Sequence, residues 1–412
     1  MNKRRHRRDE SGVALVIALV VVVLLTAMVV EFSFRTNVEA SLTANRDAQF
    51  QAYLAAKSAV AEAIGLLATD LLDSTENEGA EYDSFWDATP WAAGINGKQM
   101  NDAFMRAGID DECGKINLNA LLLPPDIEQL DDREDAPPPE ENQWLIETLR
   151  VFLLQRDPEL EDDPIDAILD WLDYNDMDDE RTSGAEAEYY EGLENPYPIK
   201  NGPMDSLEEL LLIKGITPKL YFGNPKADPP ILPLDHYLTV HGDPLGRINA
   251  NTAEPEVVYA AVDGYAAGGG DANVDAAHAI IQRQMDQQPF MDVAELQSYF
   301  PQPRRQQRRQ QRQRPRTVNQ LKQNRPVQPA EDDDGEANPV TGPTSQSSWR
   351  VNSEYFRIHG DGMLDDSLVR IEAFVWRQPF QQGQNIQPNQ ITPTQDVTAP
   401  EPFRFLDYKI IR

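Results

Sequence analysis

VALVIALVVVVLLTAMVV, residues 13–30, runs for 18 residues without a charged side chain, directly behind MNKRRHRRDESG, residues 1–12. A helix of that length spans about 27 Å, close to the thickness of a hydrocarbon core. The leader sets Lys3, Arg4, Arg5, Arg7 and Arg8 against Asp9 and Glu10, a net charge of +3. Such a flank predicts a cytoplasmic N-terminus and a chain that lies beyond the membrane after Glu31. A secretory signal would have a shorter apolar region and a small-x-small site before a break in helical character. Instead Phe50, Tyr53, Val60, Ile64, Leu67 and Leu71 recur at helical spacings, and no proline interrupts residues 13–72. The pattern predicts one helix of about 60 residues, roughly 90 Å long, half in a bilayer and half packed on a soluble domain. Read alone, the segment suits an uncleaved signal anchor as well as a processed one.

Outward from this helix, the composition limits what the rest can do. The 412 residues hold 37 Lys and Arg against 69 Asp and Glu, a net charge of −32. A surface this acidic repels phosphate, so bulk nucleic-acid binding is excluded and no nucleic-acid partner is expected. The single cysteine, Cys113, excludes an intramolecular disulfide and a cysteine-based zinc site. The length suffices for two or three domains, and 31 prolines with 23 glycines predict long connections between them.

The middle of the chain repeats itself. Residues 110–194 carry 28 acids against five bases, yet the apolar clusters Trp144–Leu154 and Ile165–Leu172 recur at helical spacing. GKINLNA (Gly114–Ala120) returns as GRINANT (Gly246–Thr252), AILDWLD (Ala167–Asp173) as AIIQRQMD (Ala279–Asp286), and MDSLEEL (Met204–Leu210) as FMDVAEL (Phe290–Leu296). In the last pair Ser206 and Asp292 are each expected as helix N-caps, with Glu209 and Glu295 completing capping boxes. Three elements in the same order predict a duplicated helical unit. LLLIKGIT (Leu210–Thr217) is similar to one hairpin of the helix-hairpin-helix class, but its acidic surroundings favour a structural role over DNA binding.

Asp173, Asp176, Asp178, Asp179 and Glu180 crowd one loop, and Glu186 and Glu188 follow. Hard oxygen ligands at this density suit calcium, although no EF-hand spacing is present. Asp173, Asp176, Asp178, Glu180 and Glu186 are the expected ligands of a structural calcium ion, with a solvated acidic loop as the alternative. Catalytic signals are absent. The five histidines, His6, His236, His241, His278 and His359, have no metal-ligand spacing, and no GxSxG, HExxH, Walker or Rossmann motif occurs. Cys113 reads as a buried small residue, and no active site is expected.

Residues 302–330 are Gln, Arg and Pro, with nine cations and no acid. Together with EDDDG and a Pro, Thr and Ser stretch to about 347, they read as a disordered linker. From Trp349 the pattern alternates with period two, which predicts a hairpin turning near Gly360, Asp361 and Gly362. FRFLDYKIIR (403–412) is expected as a third strand, and Gln99–Ile109 as an earlier one. The fold class that follows is α+β, with a long N-terminal helix, antiparallel strands and a large helical region of two related units.

A short basic leader ending in Gly12 directly before the apolar run resembles the type III signal of type IV pilins and pseudopilins. The resemblance implies cleavage by a prepilin peptidase between Gly12 and Val13, with methylation of the new N-terminus. Most such proteins carry Glu five residues after the cut; here that position is Ile17. DECGKINLNALL, DAILDWLDYNDMDDE, GAEAEYY, NPYPIKNGPMDSLEELLLIKGIT and GRINANTA are similar to the K-type minor pseudopilins of bacterial type II secretion systems. This resemblance implies a pilin-like fold, the long helix laid on the antiparallel sheet, with a calcium-binding helical domain inserted between its strands. It also implies a filament-tip position with the I-type and J-type minor pseudopilins as partners. The missing glutamate fits a tip subunit with no neighbour on one side. The implied location is the inner membrane, single-pass, with the bulk of the chain periplasmic. The expected division is a leader at 1–12, a transmembrane half-helix at 13–30, and the soluble half-helix with a first strand at 31–110. The insert follows at 111–300 (units 111–223 and 240–300), then the linker at 301–347 and the C-terminal strands at 348–412. The alternative reading is a single-pass, calcium-stabilised acidic periplasmic binding protein outside any filament.

Overall fold

Small residues at helical spacing decide how the first helix meets the rest of the molecule. In the computed structural model, which describes residues 10–76, 91–123, 140–158, 160, 164–174, 181–267, 274–300, 348–378 and 403–411, helix α1 spans Glu10–Glu76. Ala52, Ala55, Ala56, Ala59 and Ala63 on α1 are fully buried, and Val60, Ile64 and Leu67 continue the same stripe. Alanines at these spacings give a smooth helix face that lets a sheet approach closely.

The sheet has five antiparallel strands in sequence order: β1 (Ile95–Met100), β2 (Ala103–Asp111), β3 (Tyr355–Leu364), β4 (Ser367–Arg377) and β5 (Phe403–Ile411). Alternation gives each strand two unlike faces. The inner face, toward α1, carries rows such as Ile109, Ile358 and Ala373, and Ala107, Gly360 and Ile371. The outer face carries charge in matching rows: Asp110, Arg357, Phe374 and Asp407; Gly108, His359, Glu372 and Lys409; Arg106, Asp361, Arg370 and Ile411.

Between β2 and β3 the chain leaves the sheet to build a helical insert. Its helices are α2 (Gln143–Arg156), α3 (Ile165–Leu172), α4 (Ala187–Glu191), α5 (Pro218–Phe222), α6 (Pro255–Ala267), α7 (Val274–Met285) and α8 (Val293–Gln297). They enclose a separate apolar core around Leu118, Leu145, Leu149, Phe152, Ile168, Val257, Ile280 and Trp349. The sequence echo is an echo of bonds. Asn119 donates its side-chain amide to the carbonyl of Met204 and accepts from the Met204 N–H, at 2.9 and 2.8 Å. Asn251 does the same with Phe290, at 3.0 and 2.7 Å. Each asparagine also reaches one strand further, Asn119 to the Val240 carbonyl and Asn251 to that of Val351. Ile116–Asn117 pairs in parallel with Leu238–Thr239, and Ile248–Asn249 with Trp349–Arg350.

Four expectations change in detail. Gln99–Ile109 is not one strand but parts of β1 and β2, joined by a tight turn in which Asn101 takes φ +53°. Asparagine tolerates that left-handed backbone, which makes the turn possible without glycine. Gly360, Asp361 and Gly362 lie inside β3, and the turn falls instead at Asp365, φ +49°. The glycines serve the helix contact: a Cβ at Gly360 would stand 2.7 Å from the Ala56 carbonyl oxygen. The expected helix after Ser206 is a 3-10 turn, Leu207–Leu212, although its capping box with Glu209 forms. Trp349–Arg350 belongs to the second unit of the insert by its pairing, and the alternating strand begins at Tyr355. The segments 302–330 and 331–347 lie outside the described residues.

Candidate functional site

Two ends of the molecule carry its surfaces. At one end every residue from Val13 to Asp47 is exposed, so α1 projects about 50 Å before it meets the sheet. Among the described residues α1 is the one helix long and apolar enough to cross a membrane. Gly12 and Val13 lie in its first turns, and Ile17 stands in the exposed apolar run at 59 % exposure.

The insert occupies the opposite end. Moving up α1 from Ala52 to Val60, the sheet contact moves down β3 from Gly362 to Gly360, toward the point where β3 begins. Near the top, Asp70 and Arg377 form a buried ion pair of 2.6 Å, and Arg377 also donates to the Ser353 carbonyl at 2.7 Å. The insert therefore enters and leaves beside the end of α1 farthest from its apolar half. Asp111, which closes β2, is the joint. One carboxylate oxygen accepts from the Cys113 N–H at 2.8 Å, and the other receives Asn249 at 3.2 Å together with the hydroxyls of Thr252 and Ser353. Arg350 lies buried between Asp243 and Glu354, at 2.5 and 2.7 Å, and Arg247 shares the same Asp243 oxygen. Such fully bonded polar groups fix the insert in one orientation relative to the sheet.

A cleft of about 390 Å³ separates the outer sheet face from the insert, with Glu112, Asp235, His241, Arg357, Phe374 and Asp407 among its walls. His241 packs on Phe374, ring centroids 4.5 Å apart, and its burial pushes its pKa down. Alongside, His359 bonds Asp110 at 2.8 Å. Burial raises the Asp110 carboxyl, but the His359 bond and the His359 and Arg357 charges outweigh it and hold the pKa at about 2.

The expected metal ligands are only partly in view: Asp176, Asp178 and Glu180 lie outside the described residues. Asp173 follows α3, is buried, and lies 3.5 Å from the Arg181 guanidinium. Glu186 precedes α4 and is also buried. Arg181 gathers this acidic neighbourhood, meeting Asp170 at 2.8 Å and Glu141 at 3.0 Å. Asp170 is fully buried and also accepts from the Ala185 N–H at 2.9 Å. Among the described residues no group of three or more His, Cys, Asp or Glu converges to hold a metal ion. Sequence reasoning missed Asp170 and Arg181, because a lone arginine in an acidic run gives no periodic signal.

The remaining candidates are structural in their surroundings. Cys113 is buried, and that burial pushes its thiol up to about 12, far from a reactive thiolate. His236 faces Glu254 at 3.3 Å, and His278 packs edge-on against Tyr259. The arrangement is one of surfaces: an apolar rod, an alanine-to-glycine seam, and a rigidly jointed cap.

Comparison with known proteins is consistent with that geometry. The family profile for type II secretion system (T2SS) protein K matches residues 114–222, the first unit of the insert. The type II secretion system protein K of Aeromonas hydrophila is 30 % identical over 258 residues, which cover 60 % of this chain and 69 % of that protein. Among solved structures, a chain of the GspK-GspI-GspJ complex from the type 2 secretion system of enterotoxigenic Escherichia coli superposes with a TM-score of 0.54. It shares 15 % identity, and the match covers 90 % of this chain and 99 % of that one, which extends the likeness in fold to the sheet and α1.

Proposed function

The chain belongs to the type II secretion system protein K family, and we propose that it is the minor pseudopilin at the tip of the secretion pseudopilus, a structural subunit without enzymatic activity. One observation carries the tip position: the insert crowns the end of the molecule opposite the apolar half of α1. In a filament whose subunits stand on such helices, that bulk leaves no room for another subunit above it. Assembly below remains open, because residues 13–47 are exposed along their whole length.

The mechanism follows in steps. A prepilin peptidase cuts between Gly12 and Val13, and the new N-terminus is methylated. The apolar half of α1 stays in the inner membrane in a single pass, with the insert on the periplasmic side. Companion minor pseudopilins of the I and J types pack beside α1, as the complex of the E. coli relatives suggests by its composition. Ile17 in place of a glutamate spares the bilayer an unpaired carboxylate, which costs about 2.5–3.5 kcal/mol on insertion scales. A calcium ion bound by the acidic loop, with Asp173, Asp176, Asp178, Glu180 and Glu186 as its candidate ligands, would neutralise like charges and stiffen the insert.

Intact mass and N-terminal sequencing of the protein co-expressed with and without a prepilin peptidase test the reading. A chain that starts at Val13 only when the peptidase is present, and that stays whole in Gly12→Val, supports it. An unchanged Met1 under both conditions overturns it.

A further inference from the structure

Of the four histidines among the described residues, three gather where the outer face of the sheet meets the insert. His236 faces Glu254, both on the insert, so their contact does not cross the seam. His241 lies on Phe374, and burial lowers its pKa. His359 is different. Its Nε2 is 2.8 Å from Asp110 on β2 and its Nδ1 3.4 Å from Glu372 on β4, so one ring spans two carboxylates of the sheet. Lys409 on β5 is the next residue in that row, beyond Glu372.

Two residues along the same strand face, Arg357 is divided between the sheet and the insert. Its Nε lies 3.3 Å from Glu112, in the first turn of the insert, and 3.7 Å from Asp110 on the sheet. Its Nη1 lies 3.7 Å from the Asp235 carboxylate, and Nη2 donates to the Asp235 carbonyl at 3.4 Å. Glu112 has a second cation, Lys115, at 2.7 Å, whereas Asp235 has no other ion pair among the described residues. Asp110 and Glu372 thus compete with Asp235 for one guanidinium, and the state of His359 decides how strongly.

We propose that this seam is a proton-operated clamp: a proton on His359 satisfies Asp110 and Glu372 and leaves Arg357 to hold the near edge of the insert through Glu112 and Asp235, and its loss turns Arg357 toward the sheet and loosens that edge around Asp235 while the Asp111 joint stays closed. The contest is electrostatic and takes place in a part-buried site, where charges a few ångströms apart interact by several times their strength in water. Burial pushes the His359 imidazole down, but its bonds to Asp110 and Glu372 outweigh this and keep its pKa above the ordinary 6.5. The clamp therefore operates on the alkaline side of the usual histidine range.

The test uses the full chain in lipid nanodiscs, spin-labelled at Lys226→Cys on the insert and Asp366→Cys on the β3–β4 turn, both exposed; Cys113 is too buried to label. The distance distribution is read from about pH 5.5 to 8.5, across the histidine range. A narrow distribution at acid pH should broaden as pH rises, the population ratio shifting about tenfold for each unit by which the His359 pKa differs between the two states. His359→Gln should give the broad distribution at every pH, and His359→Lys, which keeps a cation there, the narrow one. Asp235→Asn should be broad throughout. A wild-type distribution that does not change with pH overturns the clamp, as does a pH response that survives in His359→Gln. Circular dichroism at each pH separates loosening of the seam from unfolding.

Discussion

A Cβ placed on Gly362 would stand 1.8 Å from the carbonyl oxygen of Ala52, so helix and sheet touch backbone to backbone at that point. The contact explains why β3 carries glycine in mid-strand and why the facing side of α1 is alanine. Gly362→Ala should therefore destabilise the protein by about 1–3 kcal/mol, the usual cost of overpacking. Gly108→Ala, on the outer face with nothing within 4 Å of its Cβ, should stay within about 0.5 kcal/mol of wild type. Urea unfolding of both variants checks this, and equal losses would show that the close approach is not what the glycine serves.

At the upper end of the same interface, Arg377 and Asp70 are both buried and 2.6 Å apart. Asp70→Ala removes this carboxylate from a buried guanidinium and should cost about 3–5 kcal/mol. Replacing both residues, Asp70→Leu with Arg377→Met, should recover most of that loss, because two apolar side chains need no charge partner. A double variant as unstable as the single one would assign the loss to packing.

The Asp110 and His359 pair makes stability depend on pH from both sides. Asp110 is depressed to about 2 from 3.8, so its contribution is present above 3.8 and fades as pH falls toward 2. His359 is raised above 6.5, so its contribution is complete below 6.5 and is lost as pH rises through its folded value. Asp110 is 43 % exposed, and screening limits the effect to about 1 kcal/mol or less. Thermal unfolding across pH should show both flanks in wild type, with the alkaline one missing in His359→Gln.

The rings of Phe300 and Trp349, on either side of residues 301–347, lie 6.1 Å apart. Exchanging 302–346 for a short Gly and Ser linker should thus keep the fold. Loop-closure entropy falls by about 0.6 kcal/mol per halving of length, so the unfolding midpoint should hold or rise by the equivalent of about 1–2 kcal/mol. A lower midpoint would show that the removed segment packs on the folded part.

Much of this architecture was legible because local rules and tertiary demands agree. The apolar run and the alanine-bearing helix behind it read directly as α1, and Ser206 with Glu209 announced their capping box. Where one residue type serves two ends, the reading failed. Gly360 and Gly362 signal a turn on propensity, yet they answer to a helix that crosses on the far side of the sheet. Trp349 and Arg350 fit the alternating strand that follows, but their partner is Ile248–Asn249, about a hundred residues upstream, and no local pattern records it. Arg181 was silent for another reason: a lone cation in an acidic run has no period, yet it meets Asp170, Asp173 and Glu141.

The duplicated asparagines allow the repeat to be tested as physics. Asn119 and Asn251 each clamp one residue through both its N–H and its carbonyl, Met204 and Phe290, and each reaches a further carbonyl. Removing either side chain leaves these backbone groups without the amide, at about 1–3 kcal/mol for each one left buried and unsatisfied. Asn251 is 2 % exposed and Asn119 is only half-buried, so water can replace part of what Asn119 supplies. Asn251→Ala should therefore cost more than Asn119→Ala. Asn251→Ala should also raise hydrogen exchange at 349–351, which Asn251 holds through Val351, while Asn119→Ala should raise it at 238–240. If either substitution loosened both strands alike, the two units would be one cooperative body whose likeness is of sequence more than of separate stability.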